Sequence, residues 1–194
     1  MKRIKSLCVF CGSSSQVDPR YRDAAARLGG LLAAARVTLV YGGGRVGLMG
    51  LLADACLQGG GDVVGVIPEF LRRAEVGHGA VTELVVVETM HERKRTMFER
   101  ADGFVILPGG LGTLEEAFEM LTWRQLQLHD KPIVVVDVAG FWQPLQALID
   151  HVIDANFASP RARELLCVVD TVDQVLPALA RTAAPAVAPE PERI

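Results

Sequence analysis

The sequence predicts a single α/β domain: a doubly wound, Rossmann-like parallel sheet with helices on both faces. Three observations support this. Short apolar runs alternate with longer amphipathic ones along almost the whole chain. The short runs are apolar throughout rather than at every second residue, as in parallel strands covered on both sides. The length of 194 residues, 50% of them hydrophobic, suits one buried core rather than two.

In chain order, strands are expected at residues 6–10, 37–41, 63–67, 84–88, 103–107, 133–137 and 166–169, each an apolar run of strand length. Helices are expected between them at 21–35, 47–58, 91–100, 114–126, 142–155 and 172–180, where apolar residues recur at spacings of three and four. Right-handed crossovers then place the helices on both faces of the sheet. The domain is read as residues 1–182. Residues 183–194 are mostly Ala, Pro, Glu and Val without periodicity and read as a disordered tail.

Composition excludes several classes. With 20 Lys+Arg against 23 Asp+Glu, the net charge of -3 and pI of about 5.8 show no basic excess for nucleic acid. The N-terminal residues are too polar for a secretory segment or a membrane span, so no membrane partner and a cytoplasmic location are expected. Cys8, Cys11, Cys56 and Cys167 are too few and scattered for a disulfide scaffold. Cys8 and Cys11 form a C-x-x-C, but inside an apolar run and without a second ligand pair, so they read as small core residues. His78, His91, His129 and His151 have no metal-ligand spacing, and no metal is implied.

In such a sheet, ligands sit at the carboxyl ends of the strands, where loops lead into helix N-termini. The loop at residues 108–116, Pro-Gly-Gly-Leu-Gly-Thr-Leu-Glu-Glu, is the strongest signal. Gly109, Gly110 and Gly112 let backbone N–H groups approach a ligand, and the following helix start favours an anion such as phosphate. The competing reading is a tight turn with Thr113 as N-cap and Glu116 closing a capping box. A second glycine-rich loop, Gly42-Gly43-Gly44-Arg45-Val46-Gly47, formally fits the dinucleotide pattern. It follows the second strand rather than the first and lacks a well-placed acidic residue, and neither loop continues into the Gly-Lys-Ser/Thr of a P-loop. No Gly-x-Ser-x-Gly elbow supports a hydrolase triad.

Arg93 and Lys94 in Met90-His91-Glu92-Arg93-Lys94 lie near a helix start, where positive charge is unfavourable and an anionic ligand would offset it. If the fourth and fifth strands are neighbours, Arg93 and Glu116 project from adjacent helix starts into one cleft. The alternative for Arg93 is a solvated residue in a charged run.

These segments resemble the LONELY GUY family of cytokinin riboside 5′-monophosphate phosphoribohydrolases, long misnamed lysine decarboxylases. The resemblance runs through Cys8-Val9-Phe10-Cys11-Gly12-Ser13, the Gly42 loop with Gly47-Leu48-Met49-Gly50, Met90 to Lys94, the whole Pro108 to Glu116 stretch, and Thr122-Trp123. It implies Arg93 and Glu116 as the catalytic pair. It implies substrate contacts at Gly43, Glu75, Met90, Lys94, Gly109, Gly110, Leu111, Gly112, Thr113, Leu114, Glu115 and Thr122. The implied substrate is a small-molecule nucleoside 5′-monophosphate, either N6-modified or AMP, split without a cofactor in a homodimer that pairs through helices of the fourth and fifth βα units. Arg45 departs from the small residue common in the family. A non-catalytic monophosphate-binding module is the alternative. The lysine decarboxylase name suits the residues poorly: a pyridoxal enzyme needs a lysine for its Schiff base, and of Lys2, Lys5, Lys94 and Lys131 only Lys94 falls in the expected crevice.

Overall fold

The computed structural model describes residues 4–75 and 77–182, apart from the side chains of Glu75 and Thr182. The elements are β1 (Ser6–Phe10), α1 (Pro19–Ala34), β2 (Thr38–Tyr41), α2 (Gly47–Gln58), β3 (Val63–Pro68), α3 (Glu69–Glu75), β4 (Glu83–Val87) and α4 (Met90–Arg100). They continue with β5 (Gly103–Ile106), α5 (Leu111–Gln125), β6 (Ile133–Val136), α6 (Gln143–Asp154), β7 (Cys167–Val169) and α7 (Val175–Thr182). Local chemistry explains the ends. Asp18 accepts the Arg20 amide at 2.9 Å and Pro19 opens α1, a start at which a missing N–H costs nothing. Two differences from expectation stand out. α3 was read as loop, and the stretch at 172–180 divides into a 3-10 turn, Val172–Gln174, and α7. The tail reading for residues 183–194 lies outside the described residues.

The strands form one parallel sheet in the order β4-β3-β2-β1-β5-β6-β7. Alternation along each strand feeds two cores. Leu7 and Val9 of β1, and Cys11 just past its end, pack with Leu28 and Leu32 of α1, Leu52 of α2 and Leu179 of α7. Cys8 and Phe10 pack on the other face with Met97 of α4, Met120 of α5 and Leu145 of α6. This is the doubly wound, Rossmann-like fold. The alternation also disposes of the C-x-x-C, because Cys8 and Cys11 point to opposite faces.

The condition set for bringing Arg93 and Glu116 together, that the fourth and fifth strands be neighbours, is not met: β3, β2 and β1 lie between them. Four strand spacings amount to roughly 19 Å. The 11 residues of α4 span about 16 Å. α4 is therefore a long crossover beneath the sheet, and this path, rather than adjacency of strands, carries Arg93 to the centre of the carboxyl edge. The order in which strands are added reverses between β1 and β5, which remain parallel, and a crevice opens at such a point in folds of this kind.

Candidate active site

Arg93 is set by α4 and the sheet together. Thr89 caps α4 through its hydroxyl, 3.1 Å from the Glu92 amide, and the Glu92 carboxylate reaches back to the Thr89 amide at 3.3 Å, a reciprocal capping box. Arg93 follows directly and is 7% exposed. Its Nε donates to Val66 O at 3.2 Å and its Nη2 to Gly42 O at 3.1 Å. Nη1 is left facing the Sδ of Met90 at 3.9 Å and Glu116 Oε1 at 3.7 Å. Arg93 is thus not a solvated residue in a charged run.

Glu116 lies in the second turn of α5 and is 8% exposed. Burial raises its pKa from 4.5 to about 7, against the opposing pull of Arg93; Glu115 and Glu119 add to the rise and Lys94 opposes it. The capping-box reading of this residue fails. α5 begins at Leu111, three residues before the expected start at 114, with Gly110 as N-cap and no side-chain cap. Thr113 and Glu116 are buried on the inner side of the helix instead. A glycine cap supplies no acceptor, so the first N–H groups of α5 keep their capacity for an anion.

The glycine loops differ in what surrounds them. A Cβ on Gly42 would collide with Nη2 of Arg93, and one on Gly47 (φ +65°) with the backbone of Ser13. Gly12 N donates to Pro108 O at 3.1 Å and Leu48 N to Gly12 O at 3.0 Å, knitting the three loops into one floor. Gly43 (φ +75°) is held by His78 N, which donates to its carbonyl at 3.1 Å. Gly109 packs directly under Thr113, whereas Gly110 and Gly112 have nothing within 4 Å of the space a Cβ would occupy.

Lys94 is buried at 7% exposure and is held by Glu115 and, at 3.1 Å, by Glu119. Burial lowers its pKa, but the two carboxylates outweigh that and the net shift is upward. The positive charges at the start of α4 are therefore offset by the protein's own carboxylates, not left for a ligand as the sequence suggested. Of the remaining expected contacts, Leu111 stands 86% exposed at the helix start and Leu114 is half-buried. Thr122 is exposed six residues past Glu116, about 9 Å along the axis, and is not brought to the pair within one chain. Glu75 ends α3, and its side chain lies outside the described residues. Sequence reasoning missed Glu119, although its spacing of three and four from Glu116 and Glu115 marks it as their helical neighbour.

The chain is similar in sequence and in fold to known proteins. Residues 49–179 match the family model described as "Possible lysine decarboxylase". The phosphoribohydrolase LOG7 of Arabidopsis thaliana, named for cytokinin riboside 5′-monophosphate, is 48% identical over 164 residues, 84% of this chain and 76% of that one. The probable phosphoribohydrolase LOGL6 of Oryza sativa subsp. japonica, named for the same nucleotide, is 44% identical over 174 residues, 90% of this chain and 70% of that one. Among solved structures, the molybdenum cofactor carrier protein of Chlamydomonas reinhardtii superposes with a TM-score of 0.70 at 21% identity, covering 93% of this chain and 98% of that one. The molybdenum cofactor binding protein of Rippkaea orientalis gives 0.69 at 19%, covering 95% and 100%. The two structural likenesses establish the fold alone. The sequence relatives establish more: the chain belongs to the LONELY GUY family, the cytokinin riboside 5′-monophosphate phosphoribohydrolases.

Proposed function

We propose that this chain hydrolyses the N-glycosidic bond of N6-modified adenine riboside 5′-monophosphates, and of AMP, releasing the free base and ribose 5-phosphate. The observation behind this reading is Glu116: a buried carboxylate whose pKa stands near 7, 3.7 Å from a fixed guanidinium, one turn inside an uncapped helix start. The 5′-phosphate binds the N–H groups of Leu111, Gly112 and Thr113, where Gly110 and Gly112 leave room for close approach. That places the sugar over the second turn of α5.

Cleavage breaks the bond from the anomeric carbon to the base nitrogen and forms one to a water oxygen, through a cation-like ribosyl transition state. Ionised Glu116 balances the developing positive charge and accepts the water proton, which leaves with the base. Two of Arg93's nitrogens are held by backbone carbonyls, so its remaining arm serves Glu116: it orients the carboxylate and favours its ionised form. No step needs a cofactor. Schiff-base chemistry fits badly, since a nucleophilic lysine must be neutral and Lys94 is stabilised as an ammonium. Lys5 and Lys131 precede β1 and β6 and lie at the opposite edge of the sheet.

We also read the protein as a cytoplasmic homodimer. The free Cys8, Cys11, Cys56 and Cys167 suit a reducing compartment, and no described helix is long and apolar enough to cross a membrane. Leu111, Leu114 and Phe118 form an incompletely covered apolar stripe on α5 that favours pairing of copies there. The test of the activity is base release from AMP and from isopentenyladenosine 5′-monophosphate by the purified protein, with Glu116→Ala as control. Release lost in the variant supports the reading; monophosphate binding without release from either substrate favours a sensing module.

A further inference from the structure

Arg93 and Lys94 are successive residues of α4, yet they meet different carboxylates of α5. Arg93 faces Glu116, and the Lys94 ammonium sits between Glu115 and Glu119. Glu115 and Glu119 share one stripe of the helix and Glu116 lies on the next, so α4 and α5 meet through two adjacent charged rungs. The two partners of Lys94 are unlike. The Glu115 side chain is 52% exposed and that of Glu119 22%. Glu119 Oε2 is moreover buried without a hydrogen-bond partner. A carboxylate oxygen removed from water without a donor is costly, and a buried Lys–Glu pair adds little net stability. The consequence of the pair is positional.

Resting on the hydrolase reading above, we propose that Glu119 is a positioning residue for the reaction. It is the permanent carboxylate partner that keeps the Lys94 ammonium beside Glu116, whereas the exposed Glu115 is the partner that a polar group of the substrate displaces. The charged and titratable groups around Glu116 are Arg93 and Lys94 from α4, Glu115 and Glu119 from α5, and the thiols of Cys8 and Cys11 from β1 and its end. Burial raises both thiols, so they stay neutral near neutral pH, and two cations and two carboxylates set the balance at Glu116. Glu119→Gln keeps a carbonyl oxygen that accepts from the Lys94 ammonium but removes the charge, so that balance becomes more positive and favours ionised Glu116, whereas Glu119→Ala, which also releases the ammonium, loses part of that effect.

Carbon-13 NMR titration of the Glu116 carboxyl, assigned with Glu116→Gln, reads this directly. In Glu119→Gln the midpoint falls by about half a pH unit or more. The acidic limb of kcat/KM on isopentenyladenosine 5′-monophosphate moves down with it. Glu119→Asp, which keeps the charge, returns the midpoint part of the way, and Glu115→Gln lowers it as well, since both carboxylates oppose ionisation of Glu116. A midpoint within about 0.2 of wild type in Glu119→Gln overturns the proposal. So does a shift that the activity limb does not follow. Should Glu119→Gln not fold, Lys94→Gln replaces it: its Glu116 midpoint rises, and an unmoved one overturns the proposal. If the wild type splits no monophosphate, the hydrolase reading fails, while the titration still decides the coupling on its own.

Discussion

The two glycine-rich loops look alike in sequence and do opposite things. In the loop between β2 and α2, the space beside the glycines is filled by the protein: Arg93 lies against Gly42, Ile67 against Gly43 and the backbone of Ser13 against Gly47. At the start of α5, Gly109 packs under Thr113 but Gly110 and Gly112 face open space. A glycine whose missing side chain makes room for the protein itself builds the site, and a glycine beside an empty volume leaves room for something else. The first loop sets Arg93, the second leaves open space at the start of α5, and Glu116 lies where they meet.

The largest expected effect is at that meeting point. Glu116→Gln lowers kcat/KM by about hundredfold or more on any monophosphate the wild type splits, with an unchanged circular dichroism spectrum. Retention within about threefold removes Glu116 from the chemistry. The same variant tests the pKa. Because the folded protein holds the Glu116 proton up to about pH 7 and the unfolded chain only to about 4.5, the folded state binds more protons across that window, and wild-type stability falls as pH rises through it. Glu116→Gln lacks this loss, so it gains on wild type by up to about 1.4 kcal/mol per pH unit over the window. Urea unfolding at several pH values measures the difference; a difference independent of pH means that burial does not raise this carboxyl. Wild-type kcat/KM correspondingly rises with pH through about 7, as the ionised form accumulates.

Next in size is Gly42→Ala, which strikes the filled loop. The new methyl meets the guanidinium, so Arg93 must leave Gly42 O and its place beside Glu116. Overpacking of this kind costs about 1–3 kcal/mol of stability. The loss of alignment lowers kcat about tenfold or more, since the fall acts through the reacting pair rather than through binding. A variant with normal kcat shows that Arg93 is not held by this loop.

The limits of sequence reading follow the same division. Apolar runs such as Ile133–Val136 and helical spacing such as that of α2 are local, and both were placed within a few residues. The pairing of Arg93 with Glu116 was legible only through motif and resemblance, and the spatial condition set for it is not met. It required β4 beside β5, and strand order depends on long-range packing that no local pattern records. The cap of α5 was misplaced because Thr113 and Glu116 fit a capping box by spacing, while burial draws both side chains inward. Glu119 went unremarked because its partner comes from another helix.

The smallest effect is the sharpest test of the comparison, and it lies at Gly112. This residue is the second of α5, without positive φ, and beside it a Cβ finds open space. Alanine is the better helix former by up to about 1 kcal/mol, so Gly112→Ala holds or slightly raises the melting temperature. A position at which the fold would tolerate or gain from alanine, yet carries glycine, is shaped by something other than the fold. With the 5′-phosphate bound as proposed, the methyl stands in its approach to the amides, and KM for the monophosphate rises several-fold, by about 1 kcal/mol, with kcat nearly unchanged. Loss of stability would place Gly112 with Gly42 as part of the protein's own packing. An unaltered KM would move the phosphate away from the start of α5, and with it the placement of the sugar over Glu116.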